Sequence, residues 1–262
     1  SNNLNLGTII LESDDRLDEV VVSGTLKPVS RLDSSIPVEV YARTFFKANP
    51  TASIFEALEN INGIRPQLNC NVCNTGDIHI NGQEGSYTMV LIDGLPIVSG
   101  LSTVYGLSGI PKSLIERVEI IKGPASTLYG SEAIGGVINL ITRLPENTSK
   151  FSVDSFLSGW GEVNTDIGYK YNLTGNNSGL LGINYFNYSN PIDNNQDGFT
   201  DLTLQDRISI FNKLTLGTQF SVATRFVYED RWGGQMNWSP EYRGGDILYG
   251  ESIYTSRFEI FG

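Results

Sequence analysis

Val90-Leu91-Ile92-Asp93-Gly94, then Ile115-Glu116-Arg117-Val118-Glu119-Ile120-Ile121-Lys122-Gly123-Pro124, then Leu128-Tyr129-Gly130-Ser131-Glu132-Ala133-Ile134-Gly135-Gly136-Val137-Ile138-Asn139 decide how this chain is read. Each block is a short β-branched run closed or opened by turn residues. Tyr87 to Ile92 reads as a strand ended by the Asp93-Gly94 turn, and Ile115 to Ile121 as a strand ended by Lys122-Gly123-Pro124. Tyr129-Gly130 and Gly135-Gly136 precede a third strand, Val137 to Thr142. A loop rich in Ser and Gly, Pro96 to Gly109, lies between the first two.

Upstream, Asn49-Pro50-Thr51 opens a helix that Thr51 could cap. Ile54, Phe55, Leu58 and Ile61 fall on one face, and Asn62-Gly63 ends it. A further strand runs from Asp77 to Asn81, with Gly82 and Gly85 after it. This portion predicts a small mixed α/β domain. Further upstream, Leu17 to Thr25 carries the bare triplet Val20-Val21-Val22 between polar residues. Such a segment can pair with the edge of another sheet, and an ordinary edge strand reads the same way. Residues 1–16 are polar apart from Leu6 to Leu11.

Downstream of Leu144-Pro145 the pattern changes to segments of period two with polar turns. Val163, Thr165, Ile167, Tyr169, Tyr171 and Leu173 lie opposite Asn164, Asp166, Gly168, Lys170 and Asn172. Phe220, Val222, Thr224, Phe226 and Tyr228 lie opposite Ser221, Ala223, Arg225 and Glu229. Tyr254, Phe258 and Ile260 lie opposite Thr255, Arg257 and Glu259. A soluble sandwich alternates too, but segment length and tyrosine content favour strands that turn an apolar face to lipid. Strands are expected at 150–160, 162–174, 179–189, 206–215, 218–230 and 251–262. Because a bacterial outer-membrane barrel needs about eight strands or more, the chain reads as a fragment cut at both ends.

Composition agrees with a β-rich chain: among 262 residues there are 28 Gly, 12 Tyr and 12 Phe. A formal net charge of -11 argues against nonspecific nucleic-acid binding. No apolar run reaches the ~18 residues of a membrane helix, which leaves a β-barrel as the route across a bilayer. No signal peptide is visible at Ser1, so a mature or trimmed start is expected. No Ser-His-Asp set, phosphate loop or catalytic carboxylate pair stands out, and the single histidine leaves little room for a triad. The chain is therefore not expected to be an enzyme.

Cys70 and Cys73 are the only cysteines. A zinc site needs about four ligands, and His79 is the one histidine. A redox Cys-x-x-Cys should open a helix, whereas Asn69, Asn71, Asn74 and Thr75 around this pair read as loop. A short-loop disulfide in an oxidising compartment is the better reading. Asp193, Asn195, Asp197, Gly198 and Asp201 follow the first nine positions of a calcium loop of the EF-hand type, but Leu204 stands where the bidentate Glu belongs. A solvated acidic loop accounts for these residues equally well.

The three ordered blocks closely resemble the plug of TonB-dependent outer-membrane receptors. The resemblance covers 17–142 strongly and the strands after it loosely, and it implies a roughly 22-stranded barrel that encloses the plug. It divides the chain into a remnant of an N-terminal extension at 1–16, a Ton box at 17–25, a plug at 26–145 and the first barrel strands at 146–262. The family imports large, scarce nutrients without covalent chemistry. TonB and outer-membrane lipids are the implied partners, a surface lipoprotein is a candidate one, and the cell outer membrane is the implied location. The Ton box maps onto Asp18, Glu19, Val20, Val21, Val22 and Ser23, which would add a strand to TonB. Lying before the packed plug, it is expected to stay free until TonB pairs with it.

The family's plug bears substrate on two apical loops, which map here to Asn69–Thr75 and Ile97–Gly106. Asn69, Asn71, Asn74, Thr75, Ser99, Ser102, Thr103 and Tyr105 are then the candidate contacts. The usual Arg-Gly reads Asn81-Gly82, and the first loop carries the two cysteines. These features are most similar to haem-receptor-type members from Bacteroidetes. Haem or a ferric chelate is the expected cargo, with cobalamin as the alternative and calcium as a candidate ion. Imidazole is a good axial ligand for haem iron, so His79 is a candidate ligand, although a lone strand histidine is more often structural. From other classes, a signalling receptor would need a separate N-terminal domain, and a soluble β adhesin would lack lipid-facing aromatic girdles.

Overall fold

The computed structural model describes residues 20–70, 72, 75–96, 107, 109–145, 148–175, 177–217 and 220–262. Its first half is built on a mixed five-stranded sheet. The strands are β3 (Glu39–Ala42), β6 (Thr88–Ile92), β7 (Leu95–Pro96), β8 (Ile115–Lys122) and β9 (Gly136–Thr142), in the spatial order β3-β8-β9-β6-β7. β6 and β9 run parallel and the other pairs antiparallel. Both faces are covered, which is why these strands read as near-continuous apolar runs. Val90, Ile92, Val118, Ile120, Ile138 and Leu140 pack on one side with Ile54, Leu58, Ile78 and Ile80. Met89, Leu91, Ile121 and Val137 pack on the other with Val21, Val38, Ala125 and Ala133.

The helix predicted from Thr51 is shorter and capped elsewhere. Helix α2 spans Ile54–Ala57 and continues as a 3-10 turn at Leu58–Asn60. Its cap is Ser53, whose Oγ accepts from Glu56 N at 3.3 Å, while Glu56 reaches back to Ala52 N at 3.0 Å. Serine followed three residues later by glutamate satisfies two free N–H groups at once, which Thr51 is placed too early to do. Strand β3 and the helix after it, α1 (Arg43–Ala48), were not anticipated. A separate hairpin joins β4 (Ile64–Cys70) and β5 (Thr75–Ile80), and it buries Ile64, Ile78 and Ile80 against α2.

The second half is a six-stranded antiparallel sheet in sequence order: β10 (Phe151–Leu157), β11 (Val163–Asn172), β12 (Ser178–Tyr188), β13 (Leu204–Leu216), β14 (Phe220–Gly234) and β15 (Gly250–Phe261). All six expected strands are present, with β13 and β14 longer than the alternation showed. One row crosses the whole sheet as Val153, Ile167, Ile183, Ile210, Phe226 and Phe258. The next row on the opposite face runs Asp154, Asp166, Asn184, Ser209, Val227 and Arg257. Asn164, Asp166, Asn184, Arg207, Ser209, Arg225 and Glu229 are buried, while Tyr169, Ile208, Ile210, Tyr228, Phe258 and Ile260 are exposed. A sheet that buries charge and exposes apolar side chains is inverted relative to a soluble one, as a wall between lipid and a plugged lumen requires. No described helix is long and apolar enough to cross a membrane.

The wall touches the plug where its inner side chains shrink. Gly168 and Gly182 face each other across β11 and β12. A Cβ on Gly182 would sit 2.4 Å from Leu114 Cδ1, so the turn at 111–114 lies directly against bare backbone. Leu114 then packs with Leu180, Phe211 and Ala223 of the wall.

The inverted burial predicts the sign of a surface substitution. Ile210→Arg places a cation in the middle of the outward row and should destabilise the barrel of the full-length protein by roughly 2–4 kcal/mol. Heat-modifiable mobility in lipid vesicles checks this. An unchanged unfolding transition would mean that this face does not meet hydrocarbon.

Candidate functional site

The hairpin β4–β5 carries the first expected substrate loop at its tip. Its register shifts between Leu68 and Cys70, which bends the tip. Asn69 Nδ2 donates to Asp77 Oδ2 at 2.9 Å, so this side chain braces the hairpin. Cys70 is disulfide-bonded, and the sequence holds one other cysteine, Cys73, outside the described residues. Thr75 pairs with Cys70 through the backbone. Asn71, Asn74, Ser99, Ser102, Thr103 and Tyr105 also lie outside the described residues.

Beside that tip, Val72 meets the outer ends of the wall strands. A cavity of about 280 Å³ is lined by Val72, Thr200, Thr203, Gly233, Gly234, Tyr249 and Glu251. Tyr249 Oη donates to Glu251 Oε1 at 3.1 Å, and the Tyr249 ring stands edge-on to Phe199, with centroids 6.1 Å apart. The Glu251 carboxylate that accepts its proton raises the phenol above its ordinary pKa. The cavity thus offers an aromatic ring, two hydroxyls, bare glycine backbone and one carboxylate. Sequence reasoning missed its wall half, because Thr200, Thr203, Tyr249 and Glu251 are spread over two connections and the start of β15 and form no local motif.

His79 sits on β5 opposite Arg65, four residues below the tip, or about 13 Å at the rise of a strand. It is not among the residues lining the cavity, so the structure does not bring the candidate haem ligand to the apex. The acidic loop is folded on itself. Asp193 accepts from Asp197 N at 3.1 Å and Gly198 N at 2.9 Å, and Asp201 accepts from Asn194 N at 2.7 Å. Asn195 and Asp197 bond each other and their neighbours' backbone. Backbone N–H groups occupy these carboxylates, and among the described residues no group of three His, Cys, Asp or Glu is arranged to hold a metal ion.

The expected free Ton box is not free at its C-terminal end. Asp18 and Glu19 lie outside the described residues. Val20 and Val21 form β1 and pair with β2 (Val29–Ser30), and Val21 and Ser23 are fully buried. Val21, the middle of the triplet, finds a cluster of its own chain, which removes that side chain from water without a partner, while Val20 stays about half exposed.

Three polar contacts clamp plug to wall. Lys213 Nζ of β13 donates to Asp93 Oδ2 at 2.8 Å and to Thr142 Oγ1 at 2.7 Å. Thr142 closes the triangle, with its N and Oγ1 bonded to the Asp93 carboxylate at 2.8 and 2.6 Å. Arg207 of β13 donates to Ala52 O at 2.8 Å, and beside it Lys112 braces the plug internally by donating to Thr51 O. Burial in this interface raises the Glu56 carboxyl and lowers the Lys112 ammonium, each partly offset by opposite charges nearby.

With this geometry established, comparison places it. Residues 30–137 match the family model of the TonB-dependent receptor plug domain. These residues resemble a TonB-dependent receptor plug. Most of the chain is similar in fold to parts of larger solved structures. It covers 94% of its own length on Pseudomonas aeruginosa FpvA, solved with heterologous pyoverdines, at 16% identity and a TM-score of 0.65. It covers 88% on the siderophore receptor PirA from Acinetobacter baumannii, at 21% identity and 0.59. It covers 80% on the ferric-catecholate import receptor Fiu from E. coli K12, at 18% and 0.56. The chain spans 34%, 38% and 29% of those proteins. The fold is a plug followed by the antiparallel strands of a TonB-dependent receptor barrel, the architecture of an outer-membrane protein.

The plug's clamp predicts its own weak point. Lys213→Met leaves Asp93 facing the wall without a cation. The cost should approach, and not exceed, the ~3–5 kcal/mol of a broken fully buried pair, because Asp93 retains partial exposure. Hydrogen exchange on the full-length receptor should show faster exchange in the plug sheet with wall protection unchanged. Equal protection in both proteins would remove the clamp from the energetics.

Proposed function

We propose that the chain is the plug and first barrel strands of an outer-membrane, TonB-dependent importer of a ferric chelate. The observation that carries this reading is the cavity where plug residue Val72 meets wall residues Thr200, Tyr249 and Glu251, at the tip of a plug with this family's sheet. Two of the fold neighbours are described as siderophore receptors and a third as a ferric yersiniabactin uptake receptor. A plug loop and wall loops that share one cavity would both change contacts when a ligand enters, which is what a receptor that opens on binding needs. Residues 97–106, with Tyr105 as an aromatic platform, are assigned the rest of the surface, next to Asn69–Thr75. Haem and cobalamin remain alternative cargoes. TonB is assigned to the segment Asp18–Ser23 by strand addition, with lipids around the wall and a surface lipoprotein as a further candidate partner.

Uptake of radiolabelled iron by cells that rely on the full-length receptor tests this. Ferric catecholates and hydroxamates should be taken up, and uptake should vanish without TonB. Transport of haem alone or cobalamin alone would replace the cargo, and none of these would sink the import reading. Tyr249→Ala and Tyr105→Ala should each weaken chelate binding by roughly 1–3 kcal/mol, as loss of an aromatic anchor does. Unchanged affinity in both would place the binding surface on other barrel loops.

Strand addition gives a separate expectation. Val20 is half exposed, so Val20→Pro removes a ladder N–H and fixes φ while leaving the core intact. Uptake should collapse with surface binding at the wild-type level. Wild-type uptake in this variant would move the TonB contact elsewhere.

A further inference from the structure

Glu119 is fully buried in β8, and among the described residues the cation paired with it is Arg117 of its own strand. Its Oε2 collects three donors from the N-terminal segment: Val22 N at 2.9 Å, Ser23 N at 2.8 Å and Ser23 Oγ at 2.7 Å. Its Oε1 is held by Arg117, two residues away on the same strand face, through Nε at 2.9 Å and Nη2 at 2.8 Å. Ser23 has two further ties. Tyr129 Oη donates to its carbonyl at 2.9 Å, and Asn139 Nδ2 donates to its Oγ at 3.0 Å. The β1–β2 ladder is two residue pairs long, so side chains of the plug sheet do much of the holding.

The same Asn139 looks two ways. Its Oδ1 accepts from Gly94 N at 3.0 Å, in the turn whose Asp93 is clamped by Lys213 of the wall. Asp93 has φ of +50°, a conformation costly for a residue with a Cβ, and its N–H is spent on Leu140 O. One amide therefore joins the docked N-terminal segment to the turn between β6 and β7. Charge-assisted bonds to a buried carboxylate are strong because the unpaired carboxylate is so poorly tolerated. Withdrawal of Val22 and Ser23 would strip all three donors from Oε2 together, so release should be cooperative rather than gradual.

We propose that Glu119 is a latch: a positioning residue that keeps Val20–Ser23 docked under the plug sheet, with Asn139 tying the latch to the Asp93–Gly94 turn. A partner that needs this segment as a free strand must wait for the carboxylate to let go, and a pull on the N-terminus is delivered into β8 through it. The latch is a property of the plug alone; its use by TonB rests on the proposed import function.

A spin label at Val20→Cys in the full-length receptor, in outer-membrane vesicles without substrate or TonB, reads the latch directly. The wild-type background should hold the label immobile. Ser23→Ala and Glu119→Gln should each raise the mobile fraction, on the order of tenfold for loss of one charge-assisted bond or more. The double variant should add little to either, because both act on one cluster. Hydrogen exchange of β8 and β9 should stay slow in Ser23→Ala, which separates release of the segment from loss of the plug. If Glu119→Gln does not fold, Ser23→Ala alone decides. A label mobile in the wild type, or immobile in Ser23→Ala, overturns the latch. A released label in a receptor that imports no iron chelate would keep the latch and reject the importer.

Discussion

Inside this molecule a lysine on the wall meets an aspartate on the plug, and much of the remaining geometry is arranged around that fact. Lys213 points inward because its strand neighbours Asn212 and Leu214 alternate with it. An ammonium there has no bulk water, and unpaired burial would be prohibitive. Asp93 supplies the counter-charge only because its backbone is held at positive φ by Gly94 and Leu140. Thr142 then shares both groups. The Ile-Asp-Gly turn is thus fixed to the wall and to β9 together.

The wall follows the complementary constraint. In hydrocarbon every backbone polar group must be paired inside the sheet, and outward side chains must be apolar. The long, unbroken registers of β11 to β15 and the row from Val153 to Phe258 meet both demands. The inward side chains are then free to be charged, since the plug and each other neutralise them. Arg225 pairs with Glu259, and Arg231 with Glu229, beneath an exterior of Phe, Ile and Tyr.

The plug separates a rigid sheet from two peripheral devices. One is the disulfide-bearing hairpin, which reaches up to the wall strands at Val72. The other is the N-terminal segment, which is tucked beneath the sheet by Glu119. Both connect to β9: the hairpin through the shared core of Ile78, Ile80 and Ile138, and the segment through Asn139.

Sequence by itself determined the class of the fold, the six wall strands and, for three of them, which residues face in or out. Those follow from local periodicity, and Phe226 against Arg225 is readable without any partner. It also pointed to the N-terminal triplet as unusual. Only tertiary structure decided what the inward polar groups touch. Glu119 meets Ser23 across 96 residues, Lys213 meets Asp93 across 120, and Arg207 meets Ala52 across 155. Period two assigns a side chain to a face but carries no information on what lies opposite it. The docked triplet was misread as free for that reason: nothing near Val21 in the chain announces the pocket formed by Val38, Leu91 and Val137. The cavity at Tyr249 was missed likewise, since its walls come from connections that only the closed register of β12 to β15 brings together.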